Sequence, residues 1–385
     1  MGSRQGTCIT GIGETPPARR SDKSVRRLVV DAALAAIADA GLRPGDIDGI
    51  VSDSVIMSGS VPRDWLSAQL GITRTFDASL SYGGAGSVGA PQLARAGLEA
   101  GLCTNVLVYF GVDWGTRPSG PYGFHDMYPA KRVYEKPIGF DAQPEYFALL
   151  AERYSHEYGL AEEELGAFAV NQREYAVRAG VGQKTKPLSM QEYLDTPMIS
   201  DPLRFEDCCL ISDGAVAYVL TLEERAVDAP HKPIHVRGVG FGSEATSGDD
   251  VFTQRADYLG FPGTAAARAA VEGDAGMSLA EADFAEIYDC FTISCLLQLE
   301  DLGICERGTA GKFALAGETR IDGRMPVNTH GGLLAHSYLL GAEHVIEAVR
   351  QLRGDAGPNQ VADAGVGLVT GLSVPDYALL LLSNN

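Results

Sequence analysis

The 385-residue chain is 45% hydrophobic and 21% charged, ordinary for a globular protein, and its length suits two similar domains better than one core. A formal net charge of −19 argues against nucleic acid, whose phosphates call for a basic face, and against an anionic membrane surface. It leaves room for an anionic small ligand, because a few local Lys or Arg outweigh the net field. The seven cysteines are odd in number and no pair has zinc-type spacing, so reduced thiols and a cytoplasmic location are expected, with no metal in this chain. The segment MGSRQGTCITGIGE has no apolar core of a signal peptide, and no run approaches the ~18 apolar residues of a membrane span. A soluble protein is expected.

In chain order, CITGIGE (8–14) reads as a strand. An Ala-rich helix, a Gly-containing turn and a strand ending in Ser52-Asp53 follow (33–53). Gly83-Gly84 opens a long helix, and NVLVYFG (105–111) is a buried-type strand. A long excursion, roughly 113–205, comes next. It begins rich in aromatic residues and proline and then turns helical, with an amphipathic helix over 163–180. Excursions of this length usually cover a site or contact another subunit. Its Trp, Tyr and Phe suit a core, a dimer surface or the wall of a pocket for a flat apolar substrate. Lys131, Arg132 and Lys136 are either candidate phosphate contacts or solvated charges.

Pro230 and Pro233 punctuate a joint, and the pattern then starts again. IHVRGVGFGSE (234–244) matches the first strand. Residues 266–289 repeat the helix, turn and strand, so that Tyr288-Asp289 takes the place of Ser52-Asp53. Gly331-Gly332 opens a second long helix carrying His336 and His344, before VGLVTG (366–371). Three matching blocks in one order indicate a duplicated αβ unit, residues 1–230 and 231–385. Alternating helix and strand patterns predict parallel sheets with helices on both faces.

Three segments carry a resemblance: EIYDCFTISCLLQLEDLGIC (286–305), NTHGGLLAHSYLLGAEHVIEAVRQL (328–352) and ISDGAVAYVLT (211–221). Over essentially the whole chain they resemble the thiolase superfamily, in its sterol-carrier and lipid-transfer-protein branch. The resemblance implies an α/β thiolase fold: duplicated αβ halves in a five-layered α-β-α-β-α architecture, with the aromatic-rich insertion in the first half. The catalytic motifs depart from the thiolase pattern. The nucleophilic cysteine is matched by Gly83, or in a slipped register by Gly84 or Ser81. The histidine of Gly-His-Pro-Leu-Gly is matched by Tyr338. The His or Asn before Asp-x-Phe is matched by Tyr288, and the late cysteine is missing from LVTGLSVPDYALL. Acyl-enzyme formation needs a side-chain nucleophile, and glycine has none.

Enolate chemistry on an acyl-CoA needs no nucleophile, only an oxyanion hole with an acid and a base. This pattern is similar to the lipid-transfer-protein aldolases of bacterial steroid side-chain degradation. The resemblance implies retro-aldol cleavage of a tertiary β-hydroxy acyl-CoA to a ring ketone and propionyl-CoA. It implies Tyr288 and Tyr338 as catalytic residues. His330, beside the diglycine, is a candidate partner, and Gly83, Gly84, Asn328, Gly331 and Gly332 are the candidate substrate- and oxyanion-binding set, the amides of Gly83 and Gly84 lying at a helix N-terminus. Asn328 holds its loop or orders a water there. The implied assembly is a homodimer core with a small OB-fold, zinc-binding partner, giving a heterotetramer, sometimes tied to a hydratase. Coenzyme A enters only as part of the substrate, and no cofactor is expected in this chain. The alternatives are a non-catalytic acyl-CoA-binding or scaffold subunit, and a thiolase-type acyltransferase with an unconventional nucleophile such as Ser81.

Overall fold

A computed structural model describes residues 6–53, 61–118, 120, 128–244, 252–255 and 257–385. Its main sheet has nine strands in two runs. The first half contributes β1 (Thr7–Glu14), β2 (Gly49–Asp53), β3 (Phe76–Leu80), β4 (Asn105–Asp113) and β7 (Asp213–Leu222). The second contributes β8 (Ile234–Ser243), β9 (Phe284–Glu286), β10 (Val366–Ser373) and β11 (Asp376–Ser383). The order β3-β2-β4-β7-β1 continues through a short β1–β8 contact into β8-β11-β10-β9. Each half therefore sets its first strand beside its last and its second beside the one before the last. The missing counterpart of β3 is a single bridge from Val327 to Ala285.

The sheet is mixed, not parallel. β2 pairs parallel with β3 and β4, and β9 with β10, but β7 and β11 return antiparallel between their neighbours. The sequence pattern misleads here because β10 and β11 are joined by a tight turn at Val374-Pro375, with no crossover helix.

The helices form the remaining layers. α1 (Val25–Asp39), flanked by α2 (Arg63–Leu70), covers the outer face of the first half-sheet. α3 (Gly86–Glu99) and α11 (Ala342–Arg353) lie between the half-sheets and touch strands of both. α7 (Gly263–Ala275) covers the second half-sheet, in one core with α8 (Thr292–Asp301). Strand alternation builds these layers. In β4, Leu107 and Tyr109 face the α1 core while Val106, Val108 and Phe110 face the α3–α11 core. In β11, Leu380 and Leu382 enter the central core while Leu379 and Leu381 enter the α7–α8 core. Each fully buried Leu or Val of this kind stabilises by about 1.5–3 kcal/mol.

The repeat is visible in the contacts. α1 lies so close to β1 that a Cβ at Gly13 would collide with the Ala32 carbonyl oxygen, and α7 meets β8 in the same way at Gly240 and Ala267. The glycines of the two matching entry strands serve this close approach.

Between β4 and β7 the insertion folds into α4 (Gln143–Tyr158), α5 (Glu162–Ala179) and α6 (Met190–Leu194), with a two-stranded ribbon of β5 (Met198–Ser200) and β6 (Leu203–Arg204). Residues 121–127 of it, with Tyr122 and Phe124, lie outside the described residues. Elsewhere the insertion supplies core: Phe147 stacks on Phe291 at 4.4 Å, and Tyr146 packs on Phe252 at 4.9 Å. Lys131 is fully buried, 3.7 Å from Glu135 and over the Tyr146 ring, so it is no solvent-facing phosphate contact.

α9 (Ala310–Leu315) and α10 (Gly332–Ala335) complete the second half. The long helix expected after Gly331-Gly332 does not form. α10 stops after four residues, and α11 starts only at Ala342, because Leu340 (φ 54°) and Gly341 (φ 76°) adopt left-handed backbone. His336 and His344 therefore belong to different elements. Among the described residues, no helix is long and apolar enough to cross a membrane.

Candidate active site

The broken helix is what delivers Tyr338. Residues 336–341 leave the helical path and are held from outside. Tyr338 N donates to Ser212 Oγ at 2.8 Å, and Leu339 N to Glu343 Oε1 at 2.7 Å. From the insertion, Gln183 N donates to the His336 carbonyl at 2.9 Å and Lys184 N to that of Ala335 at 3.0 Å. Tyr338 is thus not on the long helix expected after Gly331-Gly332 but on a pinned turn between two helices. Trp114, the first aromatic of the insertion, packs on its ring at 4.9 Å.

Tyr288 arrives from the other side, two residues beyond β9. Its backbone is tied to buried polar side chains. Tyr288 N donates to Thr370 Oγ1 at 2.9 Å, and its carbonyl accepts from Gln298 Nε2 at 2.7 Å. Gln298 Oε1 in turn accepts from Thr370 Oγ1 and Tyr377 Oη, at 2.7 and 3.0 Å. The two phenols meet: Tyr288 Oη and Tyr338 Oη are 2.9 Å apart, with the rings edge to face at 70°.

Both phenols are held neutral. Tyr288 is 3% exposed, and burial, with Tyr338 and Cys290 nearby, raises it well above the usual phenol range. Burial, with Cys209 and Cys290 nearby, raises Tyr338 in the same direction. No cation is among the causes, so the pair supplies neutral hydroxyls rather than a standing phenolate.

Gly84 forms the floor. It lies in the turn that opens α3, and a Cβ there would overlap the Tyr288 ring and the Leu372 carbonyl oxygen. Gly83 beside it has φ 54°, and its Cβ would approach Ser373. The structure therefore brings Tyr288, Tyr338, Gly83 and Gly84 together. Ser81 is exposed, Cys290 and Cys295 are buried, and Cys208 and Cys209 are only half-buried.

The other singled-out residues lie behind this pair. Asn328 (φ 54°) is committed to the backbone of Ile287: its Oδ1 accepts from Ile287 N at 2.6 Å, and its Nδ2 donates to Ile287 O at 2.8 Å. It supplies in side-chain form the pairing that a full strand would give beside β9. Gly331 packs against Ala176 of α5 and Gly332 against Asp289, and both have positive φ.

His330 does not reach the phenols through any described contact. It joins a buried cluster in which its Nδ1 is 3.1 Å from Glu286 Oε2 and His344 Nδ1 is 3.5 Å from the same oxygen. His344 Nε2 is 3.4 Å from Asp289 Oδ1. Burial opposes charge here, but the contacts with His330 and His344 hold the Glu286 carboxyl down at about 2. Against burial, Asp289 and Glu286 hold His344 up at about 10. Sequence reading did not find Glu286 or Asp289 as partners of these histidines. Their spacings from His330 and His344 are long, and only the fold closes them.

The site is a buried, hydrogen-bonded tyrosine pair with Gly84 packed against it, at positions that the sequence reading matches to thiolase catalytic residues. The sequence comparisons agree. Residues 244–375 match the family model of the thiolase C-terminal domain-like proteins. The chain is 34% identical over 384 residues to a steroid side-chain-cleaving aldolase of Thermomonospora curvata, covering 97% of each. It is 32% identical to a 17-hydroxy-3-oxo-4-pregnene-20-carboxyl-CoA lyase of Mycobacterium tuberculosis, covering 97% of this chain and 98% of the relative. Among solved structures, an Ltp2-ChsH2(DUF35) aldolase superposes with a TM-score of 0.89 at 32% identity, over 98% of this chain and 97% of that one. The chain belongs to the thiolase superfamily, in the thiolase-like branch that holds these lyases.

Proposed function

We propose that this chain is a retro-aldolase that cleaves a tertiary β-hydroxy acyl-CoA on a steroid side chain into a ring ketone and propionyl-CoA. The observation that carries the reading is the 2.9 Å phenol–phenol hydrogen bond at the two former catalytic positions, beside a glycine in the nucleophile's place. The relatives' names fit this chemistry. A 17-hydroxy-20-carboxyl-CoA has its hydroxyl on the carbon β to the thioester, as a retro-aldol step requires.

In this reading the bond between the α and β carbons breaks. Its electron pair passes to the α carbon and thioester oxygen as an enolate, while the hydroxyl-bearing carbon becomes the ketone. The hydroxyl proton moves to one tyrosine, that tyrosine's proton crosses to the other, and the second tyrosine protonates the α carbon. Atoms and charge balance without a cofactor, and no phenolate accumulates, in keeping with two phenols of raised pKa. The amides of Gly83 and Gly84, at the start of α3, supply donors for the enolate oxygen. Trp114, packed on the Tyr338 ring, offers an apolar face for a flat ring system.

The assembly is proposed as a homodimer core joined by a small OB-fold, zinc-binding partner in a heterotetramer in the cytoplasm. The two-component name of the aldolase superposed above supports a partner subunit. The test is mass spectrometry of products from a 17-hydroxy-20-carboxyl-CoA steroid, with the partner co-expressed. Ring ketone plus propionyl-CoA, with no acyl adduct on the intact chain, is expected. Bound but unchanged substrate overturns the proposal in favour of a binding subunit, and an acyl adduct overturns it in favour of a thiolase.

A further inference from the structure

We propose that Glu286, His330 and His344 form a binding site for a divalent cation of the zinc class, set behind the tyrosine pair and distinct from it. The expectation from cysteine spacing was that this chain holds no metal; the fold assembles a different ligand set. The three side chains are 0–3% exposed, and one ligand atom from each lies within 4.8 Å of the other two.

Their geometry suits a metal better than mutual hydrogen bonding. Glu286 Oε2 and both ring nitrogens of His330 and of His344 have no aligned hydrogen bond. Each buried polar atom left so costs on the order of 1–3 kcal/mol. Glu286 Oε2 nevertheless lies 3.1 Å from His330 Nδ1 and 3.5 Å from His344 Nδ1. Tetrahedral coordination with bonds of 2.0–2.1 Å separates ligand atoms by about 3.3 Å, between those two values. A single cation thus satisfies three of the five atoms at once.

The surroundings resemble the outer shell of a metal site. Glu286 Oε1 accepts from Thr329 N and Oγ1, at 3.2 and 3.0 Å, which leaves Oε2 turned to the histidines. His344 Nε2 lies 3.4 Å from Asp289 Oδ1, and that oxygen is itself fixed by Leu333 N at 2.9 Å. A carboxylate behind a ligating imidazole orients the ring and raises its basicity. Two imidazoles and one carboxylate select a zinc-class ion over magnesium or calcium, which take oxygen ligands.

The site has a positioning role. Glu286 ends β9 two residues before Tyr288, His344 lies in the first turn of α11 after Tyr338, and His330 sits in the loop between. The cation ties together the segments that carry both phenols.

The test uses the full-length chain, stripped with chelator and titrated with Co2+, whose visible absorption reports tetrahedral nitrogen and oxygen ligands. One Co2+ per chain with that spectrum is expected. At least a tenfold loss of affinity is expected in His330→Gln and in His344→Gln, with circular dichroism confirming that each is folded. Should both variants fail to fold, the wild-type spectrum and stoichiometry decide alone. Less than a tenth of an equivalent bound by the folded wild-type chain, or uptake unchanged in a folded variant, overturns the site, whatever the aldolase assay gives.

Discussion

Gly84→Ala is the sharpest steric probe of the tyrosine pair. Gly84 does not have positive φ, so alanine meets no backbone penalty, and only space is at issue. The added methyl would sit about 1 Å inside ordinary van der Waals contact with Tyr288 Cζ, Cε2 and the Leu372 carbonyl oxygen. Both the Tyr288 ring and the Leu372 backbone must give, and a ring displaced by roughly that distance loses the 2.9 Å phenol–phenol bond. Overpacking of this kind costs about 1–3 kcal/mol. A 1 Å misplacement of a catalytic group lowers turnover by about 10²-fold. Gly89→Ala, on the same helix, is the control: its Cβ lies 3.7 Å from Ala378, in ordinary contact, and the change stabilises by about 0.5–1 kcal/mol with activity kept. The assay is kcat for propionyl-CoA release, with urea unfolding of both variants. A Gly84→Ala enzyme within twofold of wild-type turnover refutes the packing argument.

Three further outcomes follow from the same contacts. Gln298→Met strips partners from the Tyr288 carbonyl and the Thr370 and Tyr377 hydroxyls; it should cost about 2–4 kcal/mol in urea unfolding and lower kcat more than it changes KM. Because both phenols titrate well above 10, kcat/KM should show no tyrosine-dependent fall up to pH 10; an alkaline limb below pH 9 that vanishes in Tyr338→Phe contradicts this. Burial raises the Asp207 carboxyl from 3.8 to about 6, so the folded state holds its proton more tightly than the unfolded chain and this stabilising contribution is lost as pH rises between 4 and 6. Unfolding free energy of wild type relative to Asp207→Asn should therefore drop by about 3 kcal/mol over that window, and a flat difference contradicts the assignment.

Much of the site was legible because the motifs are local and the repeat is strong. Gly83-Gly84, Tyr288 and Tyr338 stand at fixed places in matched blocks, and the fold brings those four together. What was not legible depends on long-range closure or on single dihedrals. The break at Leu340-Gly341, which turns Tyr338 out of a helix, rests on one left-handed leucine that no periodicity reveals. The antiparallel returns of β7 and β11 leave the same apolar pattern as parallel strands. His330 read as a partner of the tyrosines because it neighbours the diglycine, yet its contacts are Glu286, His336 and His344. Lys131 read as surface charge, yet it is buried on an aromatic ring, since sequence gives charge without direction.

In the proposed mechanism the two phenols act as one proton relay. The most direct test is steady-state turnover of Tyr288→Phe, Tyr338→Phe and the double variant, each shown to bind substrate. A relay predicts that either single change costs as much as both together, by 10²-fold or more, since groups that act as a unit are non-additive. Additive losses, or a single variant that keeps most of its turnover, contradict the account.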